Sequence, residues 1–404
     1  MPIKKELGIL KGVETVWGKI ISEKEAYMYA ERHIAAFSAN VFQVMRIFEP
    51  DFNKRTEAIC SIAYDISMMA DEGDRDEFVK NFRNNYEVHP FIEQGSWLGA
   101  LAGDFGDECQ LMSGRVIQFT PERVEKELDT CPWDIVGSEM CNMTTATFMA
   151  QFDLNSSNGE PNEMALDMCE ARGCGDMHCR VVAERRDVYN REVQGALDHF
   201  GQPVGAVTVT PRERMFKEGQ TTRNRKYSSA LGYEKDLSWC YNWSQENGWT
   251  WSITFPLMAI RDMAQTEEEF ERILKIVFST AGKAAFIESS AIKGIREWLG
   301  VPNEIPHDDG RILGGYIKNI LDTQLLPNEL IKFDEEETVI KVKSTDFEGR
   351  FAALPIPELR TGYEAMWHNM AKTMVSAEWS CWFEDGEDDD MFIKVGKKID
   401  KKMC

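Results

Sequence analysis

At 404 residues the chain is longer than one compact core usually runs, and a hydrophobic fraction of 43%, with 11 Trp and 22 Phe, supplies material for two. Its 68 acidic against 46 basic residues give a formal charge of -22; such a surface repels phosphate backbones and anionic membranes, which argues against nucleic acid and membrane partners. No stretch nears the roughly 20 apolar residues of a membrane span, and "MPIKKELGIL" lacks the apolar segment of a secretory signal, so a cytoplasmic protein with reduced thiols is expected.

Taken in chain order, "EAYMYAERHIAAFSANVFQVMRIF" and "RTEAICSIAYDISMMA" place apolar residues at three- and four-residue spacing and predict two amphipathic helices. "DEGDRDEFVKNFRNNY" reads as a polar turn and a further helix, whereas "GSWLGALAGDFG" is too rich in glycine for one. "CQLMSGRVIQFT", "NEMALDMCEA" and "CRVVAE" read as strands, with "MCNMTTATFMAQFD" between them as a buried helix. A locally basic and then aromatic segment follows, carrying Trp239, Tyr241, Trp243, Trp249 and Trp251. There the alternation of "WTWSITF" predicts a strand, and the aromatic cluster reads as packing, with substrate lining as the sharper alternative.

The second half runs in the same order. "TEEEFERILKIVFSTAGKAAFIESSAIKGIREWL" and "GRILGGYIKNILDTQLL" predict helices, and "ELIKFDEEETVIKVKSTDF" a strand pair. "GYEAMWHNMAKTMVSAEWSCWF" reads as a helix running into a strand, and "DDMFIKVGKK" as a last strand. "GSEMCNMTTATFMAQF" and "GYEAMWHNMAKTMVSAEW" echo one another locally. The expected fold class is therefore α+β: tandem duplicated domains over residues 1–200 and 201–404, each a helical layer on a small twisted antiparallel sheet. Two unrelated α+β domains are the alternative.

The anomaly is "CEARGCGDMHC", because close thiols in a reducing compartment mark metal or chemistry more often than disulfides. Cys169 and Cys179 are equally distant from Cys174, which Gly173 and Gly175 flank. A hairpin turning at "GCGD" makes the outer two cross-strand neighbours able to grip one ion. Cys141, on the preceding helix, offers a third thiolate, and Cys174, Cys131, a carboxylate or water a fourth ligand. Thiolate-rich tetrahedral coordination suits Zn²⁺. Buried core thiols and a Cys169–Cys179 disulfide are the alternatives. His178 falls on the other strand face and is not expected to be a ligand. "GEDDD" at 386–390 reads as a solvated turn.

"CEARGCGDMHCRVV" resembles the last hairpin of the vinyl-4-reductase-type domain found in phenol-sensing activators, where a cysteine-rich zinc site adjoins the effector pocket. "CPWDIVGSEMC", "FMAQFDLNSS" and "GDMHCRVVAE" are similar to the L-2-amino-thiazoline-4-carboxylic acid hydrolase-like family, over roughly residues 110–185 and in outline from 20 to 110. The resemblance implies a fold like that of the TRAPP-subunit superfamily, with Cys141, Cys169 and Cys179 as zinc ligands. The sensors carry a Glu before the penultimate Cys; here Leu166 and Asp167 stand there, and Cys174 is the first substitute. The second half keeps no such set: Trp367 stands where the duplicated frame puts Cys141, and Cys381 is alone in its hairpin.

Two functions follow as expectations. One is a zinc-dependent hydrolase or lyase of a small cyclic, aromatic or heterocyclic compound, with Glu139 or His178 as proton carrier. The other is a small-molecule sensor or binding protein whose zinc is structural. A fully cysteine-ligated zinc has no open position, which favours the second. The family name and the want of an output module favour the first, which is the expected function, with the second as its alternative. For Glu139 the competing reading is a helix-start carboxylate, and for His178 a half-buried strand residue. Fused equivalent domains would supply the interface that single-domain relatives make as homodimers.

Overall fold

The computed structural model describes residues 12–68, 114–119, 123–128, 131, 133–156, 164–185, 253–283, 294–324, 326–351 and 358–397. Near the start, β1 (Val13–Glu14) pairs with β2 (Ile20–Ile21). Ser22 Oγ then accepts from the Glu25 backbone N–H at 3.3 Å while Glu25 Oε2 accepts from the Ser22 N–H at 3.3 Å. This reciprocal cap starts α1 (Glu23–Phe48). Asp51 Oδ1 takes the N–H groups of Asn53 and Lys54 and so starts α2 (Phe52–Met68).

The described residues divide into two units, one of residues 45–185, the other of 12–44 together with 253–397. The division is thus not the linear one expected at residue 200. Residues 12–44 group with the C-terminal half because their apolar side chains pack there: Tyr29 stacks on Trp298 with centroids 4.5 Å apart, and Phe37 meets Phe278 edge-on at 5.1 Å.

In the first unit, β3 (Gly114–Phe119) and β4 (Arg123–Leu128) form one hairpin, β5 (Met164–Glu170) and β6 (Cys179–Arg185) another. All pairings are antiparallel, in the order β3-β4-β6-β5. Between the hairpins, α3 (Ser138–Ser156) packs on α2 and on β5. Burial on both sides explains why it has no polar stripe. Its threonines hide their hydroxyls by bonding back: Thr144 to Met140 O, Thr145 to Cys141 O and Thr147 to Met143 O. β4 was not foreseen, because "RVEKEL" is mostly charged; its buried Glu125 is paired with Arg180 of β6, Oε1 to Nε at 3.1 Å.

The second unit contains α4 (Phe255–Met263), α5 (Glu267–Val277) with a π-helical turn Phe278–Gly282, α6 (Ile295–Leu299) and α7 (Arg311–Thr323). Then come β7 (Asn328–Phe333), β8 (Glu337–Lys343), α8 (Ser344–Phe351), α9 (Glu358–Met370), β9 (Trp379–Asp385) and β10 (Asp390–Lys397). Its sheet order is β7-β8-β10-β9. Thus each unit holds two hairpins in the same strand order, separated by α3 in the first and by α8 and α9 in the second. In each, the first hairpin slips register after the third residue, between Val116 and Gln118 and between Leu330 and Lys332.

The π turn and α9 interlock. A Cβ on Gly362 would lie 2.6 Å from the Phe278 ring, so only glycine lets that ring settle against the helix. The "WTWSITF" strand expectation is corrected where the structure describes it: Ile253 and Thr254 are π-helical and Phe255 opens α4. Pro256 suits a first helical turn, where its missing N–H costs nothing. Trp239, Tyr241, Trp243, Trp249 and Trp251, the helix expected after residue 70 and "GSWLGALAGDFG" lie outside the described residues. "GEDDD" is the β9–β10 turn, as expected, with Asp388 and Asp389 at φ 51° and 69°. No described helix is long and apolar enough to cross a membrane.

Trp367 is fully buried, its ring 5.3 Å from Tyr363, 5.6 Å from Phe383 and 6.3 Å from Phe347. Trp367→Ala should therefore destabilise the second unit by about 3–5 kcal/mol, read as a lowered denaturation midpoint. A midpoint unchanged from wild type would contradict the packing described.

Candidate metal centre

Sheet register makes the first juxtaposition. Leu128 at the end of β4 pairs with Cys179 at the start of β6, so Cys131, just past β4, is carried to the side of Cys179. The two are near enough for a charge on Cys179 to act on Cys131, as does one on Cys141. Cys141 lies in the first turn of α3, and the β5–β6 connection folds onto that turn. A Cβ on Gly173 would stand 2.5 Å from Cys141 Sγ and 3.0 Å from Gly137 O. Cys174 follows and hydrogen-bonds to Cys141. Cys131, Cys141, Cys174 and Cys179 thereby form one cluster, with Cys174 and Cys179 buried and Cys131 and Cys141 half-buried.

The connection holds its own shape. Residues Arg172–Cys174 make a single 3₁₀ turn, Gly175 adopts φ 105°, and Asp176 Oδ2 accepts the Ala171 N–H at 2.8 Å. The Arg172 guanidinium reaches Asp134 Oδ2 through Nε (3.1 Å) and Nη2 (2.8 Å), and Met177 O through Nη1 (2.8 Å). It ties the hairpin tip to the turn that follows Cys131.

Backbone amides are aimed at three of the sulfurs. The Arg172 N–H donates to Cys179 Sγ at 3.3 Å, the Gly173 N–H to Cys141 and the Trp133 N–H to Cys131. Such donors stabilise a thiolate more than a thiol. Without a counter-charge, however, Cys131, Cys141 and Cys179 are held neutral. Burial and then the neighbouring Cys141 push Cys179 up to about 12. Cys131 is raised by burial and by its cysteine neighbours, and Cys141 foremost by the hydrogen bond with Cys174. A positive charge beside Cys131, Cys141 and Cys179 would lower all three.

The fit is chemical rather than a finished cage. Among the described residues no three His, Cys, Asp or Glu side chains stand in the arrangement of a metal-ligating group.

Two sequence expectations change. Cys169 is not directly opposite Cys179: β5 pairs Glu170 with Arg180 and Met168 with Val181, leaving Cys169 in a bulge. There it is exposed, while Cys174 and Cys179 are buried. The extra residue of the bulge moves the turn's centre off Cys174.

Glu139, expected as a proton carrier, is the hub of an ion triad. Arg46 donates through Nε to Oε1 at 2.9 Å and through Nη2 to Oε2 at 2.7 Å, and Arg55 Nη2 lies 3.3 Å from Oε1. Burial alone would raise its pKa, but the hydrogen bonds and charge of Arg46, with the charge of Arg55, outweigh it and hold Glu139 below the usual glutamate range. A carboxylate so fixed releases no proton near neutrality. His178 sits half-buried just before β6, Nδ1 4.0 Å from Glu127 Oε1. Arg46, Arg55, Asp134 and Arg172 escaped the sequence reading. Arg46 meets its partner across 93 positions, and no local pattern announces that.

No known protein family, curated protein or solved structure matches the chain, so the centre is read from its own chemistry.

Glu139→Gln should cost about 3 kcal/mol, because it leaves the buried Arg55 and the half-buried Arg46 short of a counter-charge. A depressed folded-state pKa contributes stability that is complete above the unfolded glutamate value and lost as pH falls through the folded one. The wild type should therefore lose stability below about pH 4.5, the ordinary value, with part of that loss missing in Glu139→Gln. Denaturation midpoints between pH 3 and 7 measure both, and parallel pH curves would contradict the triad's role.

Proposed function

We propose that Cys131, Cys141, Cys174 and Cys179 hold one zinc ion as a closed structural centre in a protein that binds, rather than transforms, a small cyclic or aromatic molecule. The observation that carries this reading is the set of four sulfurs on one turn of α3, one hairpin tip and one β4 exit, three of them taking backbone N–H bonds. Zinc would supply the charge that lets these sulfurs ionise together; the chain's own work is to orient them and screen them from water. An all-sulfur set has no free position for substrate or water.

The alternative, a zinc-dependent hydrolase or lyase, is weakened because both carboxylate oxygens of Glu139 are engaged by arginines, which leaves His178 as its proton carrier. The ligand class rests on composition, 20 Met and 11 Trp being suited to lining an apolar cavity. The reading includes a tandem duplication, supported by the shared strand order and the matching bulge of the two sheets. Only the first copy would bind metal, since Trp367 is packed in aromatic core.

Elemental analysis of the purified full chain should find one zinc per chain, lost on Cys→Ser change at 131, 141, 174 or 179 and retained in Cys169→Ser. Full zinc in all four single variants would overturn the site. Heterocycles and phenols should raise the melting temperature without being consumed; turnover of any of them would restore the enzyme reading.

A further inference from the structure

Asp134 carries the wrong charge for its place. Its side chain is fully buried beside sulfurs that already resist ionisation. Burial foremost raises Cys131 and Cys179, and the hydrogen bond with Cys174 raises Cys141; the Asp134 carboxylate pushes all three further the same way. Four thiolates around one divalent ion would in any case leave a net negative charge. What Asp134 offers instead is a grip on Arg172. On the reading that zinc occupies the centre, we infer that Asp134 and Arg172 are its positioning pair: one guanidinium holds the β4 exit and the β5–β6 connection in place for the ion, and so sets how tightly zinc is retained.

Hydrogen bonds fix both ends of this clamp. On the β4 side, the Asp134 N–H donates to Cys131 O at 3.3 Å, so the carboxylate and Cys131 share one turn. On the hairpin side, the Arg172 N–H donates to Cys179 Sγ at 3.3 Å, and the Ala171 N–H donates to Asp176 Oδ2 at 2.8 Å. Between them the guanidinium donates to Asp134 Oδ2 through Nε (3.1 Å) and Nη2 (2.8 Å), and to Met177 O through Nη1 (2.8 Å). Main chain and side chain of this one residue therefore touch a ligand sulfur, the segment leading to it and the turn that carries Cys131. Groups that orient ligands in this way raise metal affinity, because donors already gathered need no ordering when the ion arrives. A lysine would keep the charge of Arg172 but not the planar fork that meets two acceptors in fixed directions.

Charge and position predict opposite signs at Asp134. If charge dominated, removing the carboxylate would ease ionisation of the thiols and tighten zinc. If position dominates, removing it frees the hairpin tip and loosens zinc.

The test is competition for zinc between a chromophoric chelator and the full chain, prepared metal-free and shown by circular dichroism to be folded. Asp134→Ala and Arg172→Lys should each hold zinc about tenfold to a hundredfold more weakly than wild type. The double variant should bind no more weakly than the worse of the two, because the pair acts as a unit. With cobalt(II) in place of zinc, the sulfur-to-metal absorption bands of both single variants should shift from those of wild type, which a general loss of stability would not cause. Asp134→Ala that holds zinc as tightly as wild type, or more tightly, overturns the inference, as does Arg172→Lys with wild-type affinity; should Asp134→Ala fail to fold, Arg172→Lys decides alone. A wild-type chain that takes up no zinc refutes the metal reading and this inference with it, whereas wild-type uptake with unaltered variants refutes this inference alone.

Discussion

The first unit depends on one close approach, that of Gly173 to the first turn of α3. At 2.5 Å from a would-be Cβ, Cys141 Sγ tolerates no side chain at position 173. Because the helix start and the hairpin tip meet there without a spacer, sulfurs remote in sequence fall within reach of one another. The Asp134–Arg172 pair locks a third segment onto the same point. With the Arg46–Glu139–Arg55 triad, charge is concentrated around the start of α3 in pairs that are buried or nearly so. These pairs are costly to break and so define a single arrangement.

The two sheets make an informative contrast, because the same strand order closes its second hairpin by different chemistry. At the tip of β5–β6 the chain spends cysteines, glycines and an arginine. At the tip of β9–β10, Asp389 Oδ2 accepts from Thr345 Oγ1 at 2.6 Å, and Asp390 pairs with Lys341 at 2.8 Å and Lys343 at 2.6 Å. The latter tip is exposed, and its ion pairs add little stability. Stability of the second unit comes instead from a run of edge-on rings through Phe37, Phe278, Tyr363, Phe347 and Phe383. One unit thus depends on buried polar and sulfur chemistry near its helix start, the other on aromatic packing.

That difference bears on function. A centre made of thiols, with its nearby carboxylates already committed to arginines, is suited to holding shape.

Local patterns in the chain determined most of the elements: helices from the spacing of apolar residues, strands from alternation, turns from glycine and aspartate. They also marked "CEARGCGDMHC" as the place to look, since clustered thiols in an otherwise ordinary composition need a reason. Local patterns could not decide which cysteines meet. A single bulge residue turned Cys169 outward, and β4, disguised by its charges, carried Cys131 inward. Nor could they show that Glu139 belongs to Arg46 and Arg55, because contacts across such separations are set by how helices and sheet pack, not by neighbours along the chain. Tertiary structure decided which of the cysteines cluster, for the physical reason that register and close packing choose partners by distance in space.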